Sequence, residues 1–323
     1  MSVRPTSTEQ QREASVTEYS LDVARGIWLS IKDMDLSLGK RTRLYRMLYK
    51  HGPANGTALI LPVDHGLEHG PRDFFANPQS KDPTFELRLA RDGGYSAIAF
   101  QYGLAQKYMA KFAGEVPLIV KLNGKTEIPS DERAFSGQTA SVEEIVRLGA
   151  EAVGYTLYVG SPAQAEDFVQ FARIRAEAER YGMPVVVWAY PRGSAIEAKG
   201  GRDSFYAIDY AARVACELGA DVVKLNFPKL DDPRRQQCPP PYNDLDISIQ
   251  DALSHIVKSA GRTLVLISGG AMLNDEEFLD RSRICLDAGV TGFIAGRNVW
   301  QRSLDDALKL TVDLKRLMAK YSR

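Results

Sequence analysis

Cysteine is scarce in this sequence, and neither charge sign is in excess. The three cysteines, Cys216, Cys238 and Cys285, lie far apart in a chain of 323 residues. An odd number at these spacings fits neither a disulfide framework nor a zinc site and favours a reducing compartment. Lys plus Arg and Asp plus Glu each number 41. Since a broad nucleic-acid surface needs a basic excess, a nucleic-acid partner is not expected, although a local basic pocket for a phosphate remains compatible.

Long apolar runs are also missing. No run approaches the roughly 20 residues that span a bilayer, and the polar N-terminus contains no signal-peptide core. We therefore expect a cytoplasmic protein without a membrane partner. Residues 1 to about 20 are polar enough to predict a disordered or loosely attached arm. From Leu21 to about Lys50 apolar residues recur at helical spacing, which predicts helices that precede the catalytic domain.

After residue 54 the pattern changes to short apolar runs rich in Val and Ile, separated by longer amphipathic stretches. The runs lie at 58–64, 95–100, 117–123, 152–160, 184–190, 221–227, 263–270 and 292–297. Such runs suit parallel strands that are buried on both faces. Eight of them alternating with helices predict one (β/α)8 barrel over 55–323, with 1–54 as an N-terminal arm and helices. A doubly wound sheet is the alternative, but no G-x-G-x-x-G turn follows the first strand.

In such a barrel the reacting groups lie at the carboxyl ends of the strands and in the loops that follow them. The first strand ends in the polar turn Asp64-His65-Gly66-Leu67-Glu68-His69-Gly70-Pro71. This turn could hold a metal, or be only a polar turn, or bind substrate hydroxyl or phosphate groups. The last interpretation is favoured, because the remaining histidines, His51 and His255, lie away from strand ends.

Two predicted strands carry a lysine within an apolar run, Lys121 in strand three and Lys224 in strand six. A buried ammonium loses its hydration, which lowers the pKa of the amine and makes the neutral, nucleophilic form available near pH 7. The alternative for Lys224 is a purely structural lysine that is paired with a carboxylate of the barrel. In strand five, Trp188 and Tyr190 share one face, and the Tyr190 phenol could either pack at the rim or transfer a proton.

The last two strands end in Ser268-Gly269-Gly270 and in Gly296-Arg297. The loops after strands seven and eight form the usual phosphate site of phosphate-binding barrels. Glycines allow backbone N–H groups to approach phosphate oxygens closely, and Arg297 can add a charged contact. These residues therefore predict a phosphate site.

Taken together, the motifs PVDHGLEHGP, VKLNGKT, VGYTLYVGS, VWAYPRG, GADVVK, SGG and AGRNVWQR resemble those of the archaeal-type class I fructose-1,6-bisphosphate aldolases, which also occur in bacteria. The resemblance covers about residues 55–310. It implies that Lys224 is the Schiff-base lysine, that Tyr190 is the proton donor and acceptor, and that Trp188 lines the site. The implied contacts to substrate oxygens or the distal phosphate come from Asp64, His65, His69, Lys125 and Arg192. Those to the phosphate next to the ketone come from Ser268, Gly269, Gly270, Gly296 and Arg297.

The resemblance implies cleavage of fructose 1,6-bisphosphate through an iminium ion, with no metal or other cofactor, and a homo-oligomer of five or ten subunits. Related barrels act as an aminodideoxyheptulosonate synthase or as a phospho-dione thiolase, and a non-catalytic sugar-phosphate-binding barrel is a further alternative. Two features depart from the family: Asn226 stands where many relatives have a second lysine, and the segment 228–250 is unusually long.

Overall fold

Eight parallel strands form a closed barrel. The computed structural model describes residues 29–63, 65–270 and 272–322. Each strand pairs with the next one along the chain, and the last pairs with the first. The strands are β1 (Ala58–Val63), β2 (Ala97–Gln101), β3 (Leu118–Lys121), β4 (Ala152–Val159), β5 (Val185–Pro191), β6 (Val222–Leu225), β7 (Leu264–Ser268) and β8 (Gly292–Ile294). The prediction of a (β/α)8 barrel is confirmed.

Helices separate the strands and surround the barrel. They are α1 (Leu38–Tyr45), α2 (His65–Glu68), α3 (Pro83–Asp92), α4 (Tyr102–Tyr108), α5 (Val142–Arg147), α6 (Gln164–Arg180), α7 (Ser194–Glu197), α8 (Phe205–Glu217), α9 (Ile249–Ser259), α10 (Asp275–Asp287), α11 (Arg297–Trp300) and α12 (Leu304–Met318). Several begin at a side chain that accepts a hydrogen bond from the first turn, which satisfies a backbone N–H without an intrahelical partner. These capping residues are Asp82, Ser141, Ser204, Ser248, Asn274 and Ser303. No helix in the described part of the chain is both long and apolar enough to cross a bilayer.

Short elements complete the loops. Single 3-10 turns occur at Pro71–Phe75, Pro78–Lys81, Met109–Phe112, Asp131–Arg133 and Pro233–Gln237. Beyond β3, the pairs Asn123–Gly124 and Gly137–Gln138 form a two-residue antiparallel ladder. This ladder frames the loop that carries Lys125 at the carboxyl-end face of the barrel.

The N-terminal helical region closes the amino-end face of the barrel. Leu44 of α1, with Met47 and Leu48 of the π-helical turn Arg46–Lys50, joins the buried cluster inside the strands. The Lys40 ammonium forms ion pairs with Asp221 at 3.0 Å and Glu179 at 2.6 Å. Of the helices predicted over 21–50, those at 38–50 are observed, whereas residues 29–37, which include Ile31, form turns and irregular backbone. The predicted arm at 1–20 and the apolar positions predicted at 23, 27 and 28 lie outside the described residues, and the division at 54/55 remains a prediction.

Candidate active site

Lys224 lies inside the barrel, at the level where the apolar core meets the open carboxyl-end face. Strand register places it opposite Trp188 of β5, and it is 7% exposed. Its ammonium donates a hydrogen bond to the Tyr190 hydroxyl and lies 4.5 Å from the centre of that ring. Trp188 and Tyr190 face the barrel interior together, as the alternation along strand five predicts. The structure therefore brings an amine and a phenol into direct contact at the barrel mouth.

The other strand lysine, Lys121, is fully buried and forms an ion pair with Glu68 of α2. The Thr156 hydroxyl also donates to Glu68, at 3.3 Å. The Lys121 ammonium lies 5.1 Å from the centre of the Trp188 ring, close enough for a cation–π interaction. A lysine paired with a carboxylate, the structural role considered above for Lys224, is therefore found at Lys121.

Three cations surround one carboxylate at the barrel mouth, and we call Lys125, Arg192 and Arg202 the mouth cation cluster. Their closest nitrogens lie 2.9, 3.0 and 3.8 Å from the carboxylate oxygens of Asp131. Burial alone would raise the pKa of Asp131, but the hydrogen bond from Lys125 and the charges of the two arginines outweigh it and lower the pKa. The Arg192 guanidinium also lies 5.1 Å from the centre of the Tyr190 ring. The cluster is therefore only one side chain away from Lys224.

Ser268 ends β7 and connects to the turn that precedes α10. Its hydroxyl donates to the Asn226 side chain at 3.1 Å, and the Asn226 amide donates to Asp203 at 2.9 Å. Asn226, noted above as a departure from the family pattern, thus connects the predicted phosphate loop to a carboxylate.

The predicted phosphate loops after β7 and β8 lie side by side. The buried Asn298 amide donates to the Gly269 carbonyl at 2.8 Å, and its oxygen accepts from another backbone N–H of that loop at 2.7 Å. A β-carbon on Gly269 would lie 3.0 Å from the Asn298 amide nitrogen, and Gly270 has φ +68°, a left-handed conformation that favours glycine. Gly296 is buried and immediately precedes α11, and Arg297 is partly buried. The two glycine turns predicted to act together are therefore adjacent.

The polar turn after β1 is only partly described. Asp64 lies outside the described residues, and of His65 only the backbone, which begins α2, can be described. His69 is partly exposed and its Nδ1 lies 3.0 Å from an Asp73 carboxylate oxygen. In the described ranges, no three His, Cys, Asp or Glu side chains converge as a metal site requires. The predicted substrate contacts of this turn remain predictions.

A family model described as DeoC/LacD family aldolase matches residues 58–302. The match spans all eight strands, the two central lysines and both glycine turns. The chain belongs to the DeoC/LacD aldolase family.

Relatives of this DeoC/LacD aldolase agree with the motif resemblance. A fructose-bisphosphate aldolase class 1 from Thermoproteus tenax is 44% identical over 264 residues, 81% of this chain and 90% of the relative. One from Halobacterium salinarum is 39% identical over 248 residues, 77% and 86% of the two chains. A solved archaeal fructose-1,6-bisphosphate aldolase, whose catalytic Lys is covalently bound to the carbinolamine intermediate of the substrate, has a TM-score of 0.73 at 40% identity and covers 85% and 99%. The resemblance inferred from the motifs is confirmed.

Several residues of the candidate site could not be assigned from sequence. Glu68 and Lys121 were visible as charged residues near two strand ends, which is the signal that could have paired them. Asp131 and Arg202 lie in polar connecting segments whose sequence carries no such signal. Asn298 stands within the AGRNVWQR motif, but its bridging role depends on the proximity of two loops that only the fold reveals.

Proposed function

We propose that this chain is a class I aldolase that reversibly cleaves fructose 1,6-bisphosphate to dihydroxyacetone phosphate and glyceraldehyde 3-phosphate. The observation that supports it most is the contact between the Lys224 amine and the Tyr190 phenol inside the barrel. A desolvated lysine is the nucleophile of Schiff-base catalysis, and a phenol within hydrogen-bond reach can transfer the protons that this chemistry requires.

The proposed reaction begins when neutral Lys224 attacks the C2 ketone of the open-chain sugar. Water leaves, and the resulting iminium ion withdraws electrons from the C3–C4 bond. The C4 hydroxyl proton passes to Tyr190, acting as a phenolate, as that bond breaks and glyceraldehyde 3-phosphate is released. Tyr190 then protonates C3 of the remaining enamine, and hydrolysis frees dihydroxyacetone phosphate and the lysine. The iminium supplies the electron-withdrawing effect, so the proposed steps assign no role to a metal.

The two ends of the sugar are proposed to bind at separate places, and this orients the substrate. The phosphate beside the ketone is proposed to bind Ser268, Gly269, Gly270, Gly296 and Arg297, where adjacent glycine turns and an arginine support anion binding. Trp188, which lies beside Lys224 in the strand register, is proposed to line the site between the two ends of the sugar. Fixing both ends places C2 near the amine, which is the source of a large part of the rate enhancement.

The distal phosphate and substrate oxygens are proposed to meet Lys125 and Arg192, with Asp64, His65 and His69 contributing from the turn after β1. Support for this end comes from the mouth cation cluster, because Lys125 and Arg192 converge at one point of the barrel mouth.

A cleavage assay tests the proposed function. The purified protein is given fructose 1,6-bisphosphate, and released dihydroxyacetone phosphate is followed by its enzymatic reduction. Lys224→Met should abolish release, whereas Lys111→Met, which removes an exposed lysine, should retain wild-type turnover. Sugar-phosphate binding without cleavage by the wild-type protein would favour a non-catalytic barrel. Cleavage by Lys224→Met at the wild-type rate would refute the assignment of the nucleophile.

We also propose a cytoplasmic homo-oligomer, a pentamer or decamer by resemblance. The N-terminal helix offers apolar surface for such an interface, because Leu38 is 84% and Tyr45 45% exposed. Sedimentation velocity at micromolar concentration should show an oligomer, and a monomer would contradict the proposal.

A further inference from the structure

We propose that Asp131 is an internal counterion that occupies the place of the distal phosphate and is displaced when a bisphosphate binds. Asp131 would thereby set the selectivity of the site for bisphosphates over monophosphates. The inference rests on the proposed function, which assigns the distal phosphate to Lys125 and Arg192. It adds Asp131 as the competing anion and Arg202 as a third cation.

The charge balance of the mouth cation cluster favours a second anion. Lys125, Arg192 and Arg202 come from three different segments of the chain, and all three approach Asp131 within 3.8 Å. One carboxylate neutralises one of the three charges and leaves two. A phosphate monoester carries a charge of about −1.5 to −2 near pH 7 and presents three acceptor oxygens. It therefore matches the three cations better than the carboxylate does.

The hydrogen bonding of Arg192 is incomplete. Its Nε lies 3.0 Å from an Asp131 oxygen, yet the buried Nε–H has no aligned acceptor among the described residues. Another guanidinium nitrogen donates to the Pro191 carbonyl at 2.8 Å. Arginine binds planar or tetrahedral oxyanions best through two parallel N–H donors. The carboxylate thus neutralises Arg192 without completing its hydrogen bonds, which a phosphate arriving from the mouth can do.

Asp131 is placed where it can leave at low cost. It begins the 3-10 turn Asp131–Arg133 and follows the exposed stretch 126–130. Its side chain is 40% exposed, whereas those of Lys125 and Arg192 are each 16% exposed. Rotation of the carboxylate into water therefore sacrifices little burial, while these two cations remain in position to bind an incoming anion.

The distance from the nucleophile suits a bisphosphate. The Lys224 ammonium lies 4.5 Å, and the Arg192 guanidinium carbon 5.1 Å, from the centre of the same Tyr190 ring. A sugar attached at C2 to Lys224 extends four more carbons and an ester oxygen before its distal phosphate, which is enough to reach Arg192. A sugar that lacks this phosphate leaves Asp131 on the cluster. Only the bisphosphate gains the full attraction of the three cations.

The first test compares Asp131→Asn with Glu132→Gln, which removes the same charge from the adjacent, exposed residue. The KM values for fructose 1,6-bisphosphate and fructose 1-phosphate give a selectivity ratio for each protein. Asp131→Asn should lower the KM for the bisphosphate and raise the selectivity for it by about tenfold, since an uncompensated cation cluster attracts the distal phosphate more strongly. Glu132→Gln should leave the ratio at its wild-type value. A higher KM for the bisphosphate in Asp131→Asn, or an unchanged ratio, overturns the proposal.

A second test does not depend on catalysis. Calorimetric titration with inorganic phosphate should show tighter binding to Asp131→Asn than to Glu132→Gln, and weaker binding to Arg202→Gln. Equal affinities in the two charge-removing variants overturn the counterion role, even if the protein proves not to cleave fructose 1,6-bisphosphate. If Asp131→Asn does not fold, Arg202→Gln carries the test, because phosphate affinity equal to wild type would exclude Arg202 from the cluster's function. Absence of cleavage by the wild-type enzyme would instead refute the proposed function.

Discussion

Glu86 provides a quantitative test of the structure, because it is a carboxyl group in the apolar layer between helices and barrel. It lies on α3, is 0% exposed and is followed by the fully buried Leu87. Among the described residues, neither carboxyl oxygen has a side-chain hydrogen-bond partner. Burial is the largest cause and raises the pKa of Glu86 from 4.5 to about 9; the Glu86 backbone N–H opposes this rise, and the negative charge of Asp82 adds to it. The folded protein therefore holds Glu86 in its neutral, protonated form at pH 7.

The sign of the pH dependence follows from the raised pKa. Between pH 4.5 and about 9 the folded state keeps a proton on Glu86 that the unfolded state has released. The free energy of unfolding therefore falls by about 1.4 kcal/mol for each pH unit in this range. The contribution is fully present below the unfolded pKa and is lost as the pH rises toward the folded pKa. Glu86→Gln is neutral at every pH, so its stability relative to wild type should rise by about 3 kcal/mol between pH 4.5 and pH 7.

Urea denaturation of wild type and Glu86→Gln at pH 5, 7 and 8.5 measures this difference. The gain of Glu86→Gln over wild type should be small at pH 5 and should increase at each higher pH. The exposed variant Glu132→Gln serves as the control and should show a pH-independent difference from wild type. A constant difference between Glu86→Gln and wild type across the three pH values would refute the assignment of Glu86 as a buried, unpartnered carboxyl group.

Three further predictions concern the site. Tyr190→Phe keeps the ring beside Lys224 and removes the hydroxyl, so the cleavage rate measured in a stopped assay should fall by about 10²–10⁴-fold. Reductive trapping at Lys224 should persist in this variant. Near-normal turnover would show that the phenol has only a structural role. EDTA should leave the cleavage rate intact, and a loss that a divalent ion restores would revive a metal site at the turn after β1. Lys121→Met should lower the free energy of unfolding by about 3 kcal/mol, because a largely buried Glu68 carboxylate loses its cation. In urea denaturation, the double variant Lys121→Met with Glu68→Gln should regain part of this free energy of unfolding.

The barrel could be predicted from sequence because its strands are buried on both faces. Such strands appear as short apolar runs, and all eight occur within a few residues of the predicted positions. The sequence also placed Lys224 and Tyr190 at the same face of the barrel, since neighbouring parallel strands end there, whereas their direct contact is seen only in the structure.

The interactions that join distant loops could not be predicted in this way. Lys125 and Asp131 lie on the connection after β3, whereas Arg192 and Arg202 lie on the connection after β5, and only the closed barrel brings the two connections together. The long segment after β6 showed no regular pattern, yet its Tyr242 donates a 2.6 Å hydrogen bond to Asp209 of α8 and so anchors the segment. Local sequence periodicity describes helices and strands, whereas these contacts depend on the path of irregular backbone.

The central claim is that Lys224 forms a covalent adduct with the ketone of a phosphorylated sugar. Its most direct test is borohydride reduction of the protein in the presence of dihydroxyacetone phosphate, followed by peptide mapping with mass spectrometry. The account predicts one reduced adduct, on the peptide that contains Lys224, and none in Lys224→Met. An adduct on Lys121 or Lys125 instead, or no adduct on the wild-type protein, would contradict it.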